Sequence, residues 1–278
     1  MLFLTINQFK PKQKMEVHKH PHHVTHTKKW FEYLLEFIML FLAVYLGFVA
    51  ENIRENHLNK EKEIEYMHSM IEDLKYDIAR VTNNLSMNVM NCDGIDSLRF
   101  ELRNAIGGKI NANRIYFYYM AYGRNIHRAV TNTSAISQLK SSGSLRLIKN
   151  DSLLNDIMDY YERTVINIDN GLNIALTKRD DMQKTANRCL RWVYFDGILK
   201  TDTVFNITNK LEKQKSYEYI LKMQPALTLL KTNTIDLEYL YNDLATYELA
   251  VHNYNTFIRI KRDEASSLIK HIQSIYPK

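Results

Sequence analysis

The chain has 278 residues, with 37 Lys and Arg against 31 Asp and Glu for a net charge of +6, and 45% of its residues are hydrophobic. Basic and acidic residues are mixed along the whole length, so there is no concentrated basic stripe of the kind that binds nucleic acid. With only 8 Gly and 4 Pro, chain-breakers are scarce, which argues for long helices rather than a many-turned fold.

Met1 to Lys29 reads as a polar tail rich in His and Lys, with Met15 a second candidate start. His18, His20, His22, His23 and His26 are dense enough to bind a transition metal. A short flexible tract lacks the fixed supporting shell that makes such binding tight, so a solvated, partly cationic tail is the expectation. No metal or cofactor is therefore assigned.

Trp30 to Ala50, WFEYLLEFIMLFLAVYLGFVA, follows. From Phe37 to Ala50 no residue is charged and every helical face is apolar, whereas a helix on a soluble core keeps a polar face. The uncharged run alone is of a length at which a buried core helix competes; a span needs roughly 20 apolar residues. Counting from Trp30 supplies that length but includes Glu32 and Glu36. The aromatic belt of Trp30, Phe31 and Tyr33 at one end favours the membrane. The expected division is a tail over 1–29, an uncleaved signal anchor over 30–52 and a helical domain over 53–278.

Six lysines, Lys10, Lys12, Lys14, Lys19, Lys28 and Lys29, precede the anchor, while Arg54, Lys60 and Lys62 follow it. The positive-inside rule places the N-terminus in the cytoplasm and everything after Glu51 outside, so the bilayer is an expected partner. Glu36, Leu40, Ala43 and Gly47 share one face of the anchor. Ala43 and Gly47 form a small-xxx-small pair, which predicts a homo-oligomeric contact there; snorkelling is the simpler fate of Glu36. Cys92 and Cys189 would stand in an oxidising compartment, where a disulfide is one reading and two buried free thiols the favoured one.

Beyond the anchor, Ile64, Met67, Ile71, Leu74, Ile78, Val81 and Leu85 alternate three- and four-residue steps, a heptad seam that continues the phase of the anchor. One helix from about Trp30 to about Met90 is expected, roughly 90 Å long. Asp93-Gly94 is expected to end it, with a short helix Ile95–Ile106 stopping at Gly107-Gly108 and a half-buried helix over Ile115–Tyr122. Thr133 or Ser134 caps a helix through Ser142, Gly143 is a left-handed stop, and Ser144–Ile148 is a short extended link. Asn150 or Asp151 caps the next helix, which places Leu154, Ile157, Tyr161, Val165, Ile168 and Leu172 on one face and runs to about Trp192. Asp196-Gly197 reads as a turn, Asp202 or Thr203 as a cap, and Pro225 as a break. Leu237, Leu240, Leu244, Tyr247, Val251, Tyr254 and Ile258 form a second seam, carried on after Lys261 by Ala265, Leu268, Ile272 and Ile275. The predicted fold is all-α: a single transmembrane helix continuing into a long helix, then an antiparallel helical bundle, with an intermolecular coiled coil as its rival.

Two blocks carry a resemblance. LLEFIMLFLAVYLGFVAENIREN runs into EKEIEYMHSMIEDLKYDI, and TNTSAISQLKSSGSLRLIKNDSLLNDIMDYY covers Thr131 to Tyr161. Together they resemble a family of uncharacterised single-anchor membrane proteins of Bacteroidota-type bacteria. In that family a basic tail precedes the anchor, and a Leu-Lys-x-Ser-Gly-x-Leu-x-Leu-Ile block precedes a Tyr-Tyr pair. The matching positions are Leu139, Lys140, Ser142, Gly143, Leu145, Leu147, Ile148, Tyr160 and Tyr161. The resemblance covers about the first two thirds and implies topology and a bacterial source; the family carries no assigned activity.

No motif for chemistry stands out. Gly107-Gly108-Lys109 lacks the rest of a phosphate-binding loop, and there is no HExxH, CxxC pair or GxSxG. The Ser141–Ile148 block has a structural reading, with Gly143 for positive φ and Leu145, Leu147 and Ile148 buried, and a functional one, a binding loop using Lys140, Ser142, Gly143 and Arg146. The expectation is a non-catalytic, membrane-anchored extracytoplasmic scaffold or interaction module with an envelope protein partner. A sensor-like ligand-binding module is the runner-up, and a periplasmic enzyme without a recognised motif comes third.

Overall fold

The computed structural model describes residues 29–194 and 226–277, with single positions at 218, 220 and 222. Every regular element among the described residues is helical. The expectations for the His-rich tail, for Asp196 to Thr203 and for Pro225 lie outside them. The helices are α1 (Trp30–Ile106), α2 (Ala112–Tyr118), α3 (Ser134–Ser141), α4 (Asp151–Met158), α5 (Val165–Cys189) and α6 (Thr234–Ile275). The chain divides into two units, Met1–Asn56 and His57–Lys278.

In the first unit, the described residues are almost all exposed. An 18-residue window of α1 has a mean hydropathy of 2.2 with none of it buried, so α1 is long and apolar enough to cross a membrane. Its aromatic residues pack on one another: Trp30 meets Phe31 edge-on and Phe41 stacks on Tyr45.

The second unit is a bundle of three long stretches: α1 from His57 onward, α4 with α5, and α6. Side-chain pairs fix their directions. Glu63 meets Tyr276, Asp77 meets Lys261 and Arg99 meets Glu248, so α6 runs antiparallel to α1. Thr164 meets Glu264 and Thr185 meets Asp243, so α6 is antiparallel to α5 as well. Three core layers follow along the bundle. Met67, Met70 and Leu74 pack with Leu153, Ile157, Ala265 and Leu268. Val81 and Leu85 pack with Ile168, Leu172, Tyr254 and Ile258. Ile95, Leu98 and Leu102 pack with Met182, Ala186, Leu240 and Tyr247. Fully burying each such side chain is worth about 1.5–3 kcal/mol, so the stacked layers supply the main driving force.

Several expectations need correction. Asp93-Gly94 does not end the first helix. A Cβ at Gly94 would stand 2.0 Å from Cγ of Tyr122, so this glycine lets an aromatic ring lie against the helix, which runs on to Ile106. It stops at Gly108, whose φ is +86°. Ser144–Leu147 is a 3-10 turn rather than an extended link, closed by Ile148 N donating to Leu145 O. Thr133 makes no side-chain cap; Asp73 of α1 accepts from Ala135 N instead. Asn150 does cap α4, accepting from Leu153 N. Between α4 and α5 a π-helical stretch, Asp159–Thr164, inserts a residue. Tyr160 and Tyr161 are both buried there, which shifts the face: Leu153 is buried, while Leu154 and Val165 are only half-buried.

Candidate functional site

Because α1 and α5 run parallel, the chain must return between them, and it does so over residues 107–150. A non-helical strap at 125–133 carries it back along α1. Backbone groups in such a strap have no helical partners and must be satisfied by side chains. Asn88 accepts from His127 N and donates to His127 O, as a neighbouring strand would. Asn91 donates to Asn125 O, Asn84 to Arg128 O, and the Tyr254 hydroxyl accepts from Ala129 N. Asn132 N donates to Asp77, and its amide donates to Asp73.

The strap leads to a buried ionic hub. Lys261 Nζ lies 3.2 Å from Asp77 Oδ2 and 2.6 Å from Thr131 Oγ1. Tyr160 donates to the same Asp77 oxygen at 2.9 Å. Burial pushes the Lys261 ammonium below its usual range, and Asp77 opposes that shift. Burial, reinforced by the Asp77 charge, drives the Tyr160 phenol well upward. Asp77 thus accepts from α6, from the π-helical stretch and from the strap, and joins all three to α1. A buried charge survives only when paired and hydrogen-bonded in this way.

The sequence reading did not find this hub. Its signal is a polar residue inside an otherwise apolar seam: Asp77 lies three residues after Leu74 and four before Val81, and Lys261 three after Ile258 and four before Ala265. The other buried carboxylates of α1 are matched too, Glu63 by Lys60 and Tyr276, and Glu101 by Arg114.

The sequence-derived positions fall in three places. Glu36, Leu40, Ala43 and Gly47 are all exposed on α1, and a Cβ at Gly47 would meet nothing within 4 Å. Lys140 pairs with Glu162 at 2.9 Å and is thereby engaged with the π-helical stretch. Ser142 and Arg146 line one cleft beside α1, and Gly143, at φ +68°, makes the turn between them. Of the three apolar residues in that block, Ile148 is buried, while Leu145 and Leu147 are half-buried.

Comparison with protein-family models, with curated proteins and with solved structures finds no match to this chain. An open groove of about 380 Å³ gathers Asp156, Asp159, Asp263 and Glu264 near Tyr160. The first three have side chains 53%, 62% and 67% exposed, so the groove lacks the dry, preorganised setting that acid–base chemistry uses. Arg163 and His271 pair with Asp159 and Asp156. Among the described residues no group of three or more His, Cys, Asp or Glu is placed to hold a metal ion. Cys92 and Cys189 are both free and buried, the favoured reading from sequence, and burial pushes their thiols up to about 12 and about 11.

Proposed function

We propose that this protein is a membrane-anchored helical interaction module: a single span with a cytoplasmic N-terminus and a non-catalytic extracytoplasmic bundle, in the inner membrane of a bacterium. The observation that carries the reading is the wholly unburied apolar window of α1. Among the described residues nothing buries that window, and a bilayer supplies the apolar surroundings such a surface favours. The lysines before Trp30 support the orientation, as does the resemblance to single-anchor proteins. The polar groups buried in the bundle support the non-catalytic part of the reading, since Asp77, Lys261 and Asn88 are occupied in holding the strap and helices together.

Association of copies through the Glu36, Leu40, Ala43 and Gly47 face belongs to the same proposal, because small residues let helices approach closely in lipid. The second reading, a ligand-responsive sensor, is favoured by the continuity of α1 from the apolar window into the bundle core.

The deciding experiment fuses a reporter active only outside the cytoplasm after Lys278 and, separately, near Met15. Activity for the Lys278 fusion alone supports the proposal. Activity for neither, with the protein in the soluble fraction, overturns it. Within the membrane, cross-linking of Gly47→Ile tests the oligomer: an unchanged cross-linked species rules out this face as the contact.

A further inference from the structure

We propose that the cleft between α1 and the Ser142–Leu147 turn binds a phosphate ester of a polyol. The cleft lies wholly within the His57–Lys278 unit, holds about 420 Å³ and is mostly polar. The inference goes beyond the anchor reading and does not depend on it.

The sequence builds this cleft from two directions. Asn59, Lys62, Tyr66 and Ser69 recur at three- and four-residue steps, so they form one stripe on α1. Opposite them, the left-handed Gly143 folds the chain back so that Ser142 donates to Ser144, and this 3-10 turn presents Arg146. Lys62 and Arg146 therefore face one space from two elements. Among the described residues neither has an ion-pair partner, in contrast to Lys140, Arg99 and Arg114 nearby in sequence or fold, each matched to a carboxylate.

Two unmatched cations beside hydroxyl and amide donors make a receptor for oxygen-rich anions. A phosphate monoester carries about −2 and accepts from a guanidinium fork and an ammonium together. Glu65 also lines the cleft and supplies an acceptor. It would repel a bare anion but accept from the hydroxyls of a polyol, as Ser69 and Gln138 would donate to them. The Tyr66 ring and Leu147 give the carbon frame an apolar surface. The lining thus specifies a mixed ligand with one strong anionic end and several hydroxyls. A soluble glycerol or sugar phosphate has that chemistry, and so does the headgroup of a phosphoglycerol lipid.

The test uses the full chain in detergent micelles and in nanodiscs. Glycerol 3-phosphate, with glycerol as the uncharged control, is titrated calorimetrically up to about ten millimolar. Nanodisc contact is read as protection of Ser142–Leu147 from hydrogen exchange in phosphatidylglycerol against phosphatidylcholine discs. Binding of glycerol 3-phosphate but not glycerol supports a soluble ligand. Protection only in phosphatidylglycerol discs supports the headgroup. Either signal must weaken by at least about tenfold in Arg146→Gln and in Lys62→Gln, and strengthen in Glu65→Gln, while Lys184→Gln, at a residue that pairs with Asp181 and does not line the cleft, leaves it unchanged. Circular dichroism confirms that each variant is folded, and Arg146→Lys should recover part of the loss. No signal in either arm, or a signal indifferent to both Lys62 and Arg146, overturns the proposal.

Discussion

Lys261 Nζ sits 3.2 Å from Asp77 Oδ2, with the two side chains 0% and 2% exposed. Removing either member leaves the other charged and dry. Lys261→Met and Asp77→Asn should each cost about 3–5 kcal/mol in urea unfolding of the detergent-solubilised protein. The double variant should recover only part of that loss, because Asp77 also accepts from Tyr160 and from Asn132 N. A loss under about 1 kcal/mol for both single variants would show that the pair is not a structural hub.

Asn88 holds His127 by both its N–H and its carbonyl, whereas Asn84 holds only the carbonyl of Arg128 and is an exposed contact. Asn88→Ala should therefore cost about 2–3 kcal/mol and Asn84→Ala about 0.5–1. Amide hydrogen exchange reads the difference directly: His127 should lose protection in the first variant and keep it in the second. Equal exchange at His127 in both would refute the paired-amide account.

Gly94 and Gly47 form a contrast on one helix. Alanine normally stabilises a helix interior by about 1 kcal/mol relative to glycine. At Gly94 the new methyl would meet the Tyr122 ring at 2.0 Å, so Gly94→Ala should lower the unfolding free energy by about 1–3 kcal/mol. At Gly47 there is open space, and Gly47→Ala should leave the stability of the bundle unchanged. A more stable Gly94→Ala would mean that Tyr122 moves aside freely.

The bundle should be sensitive to alkali. Burial raises Cys92 to about 12 and Cys189 to about 11 from an ordinary 9.0, and Tyr116 and Tyr119 to about 12 from 10.0. Tyr160, Tyr161 and Tyr247 are pushed up by burial as well. For each group the folded state keeps a proton that the unfolded chain releases. This contribution is complete below pH 9 and is lost as pH rises towards 12. Lys261 and Tyr241 have the opposite sign, since their folded state releases the proton first, but they are two groups against several. Urea midpoints measured at pH 8, 10 and 11 should fall in that order. A flat or rising series would contradict the burial of these groups.

The helical class, the apolar segment from Trp30 and the α6 seam were legible because each is a local periodic pattern. Every position named in the Leu237–Ile258 run is buried, since a heptad of large apolar residues has one way to escape water. On α1 the seam located the core but not the whole of it. Met67, Ile71, Leu74, Val81 and Leu85 are buried and Ile64 and Ile78 pack against the core, but the buried face also takes in Met70, Asp77, Asn88 and Asn91. A polar residue looks like an interruption until its partner is known, and Asp77 has its partner far along the chain at Lys261.

Similarly, Asp93-Gly94 reads as a helix stop because glycine and aspartate favour turns, and only the Tyr122 ring makes a mid-helix glycine useful. Gly143 could be assigned its left-handed turn because that requirement is local. Arg146 could be singled out from its place in the same block, but that it lines one cleft with Lys62 could not. By itself the sequence determined the helical class, the place of the long apolar segment and the left-handed turn at Gly143, since these depend on neighbours a few residues apart. The tertiary structure decided which polar residues are buried, which charges are matched and which two are left facing one cleft, because those outcomes depend on helices distant in the chain and on the low dielectric between them.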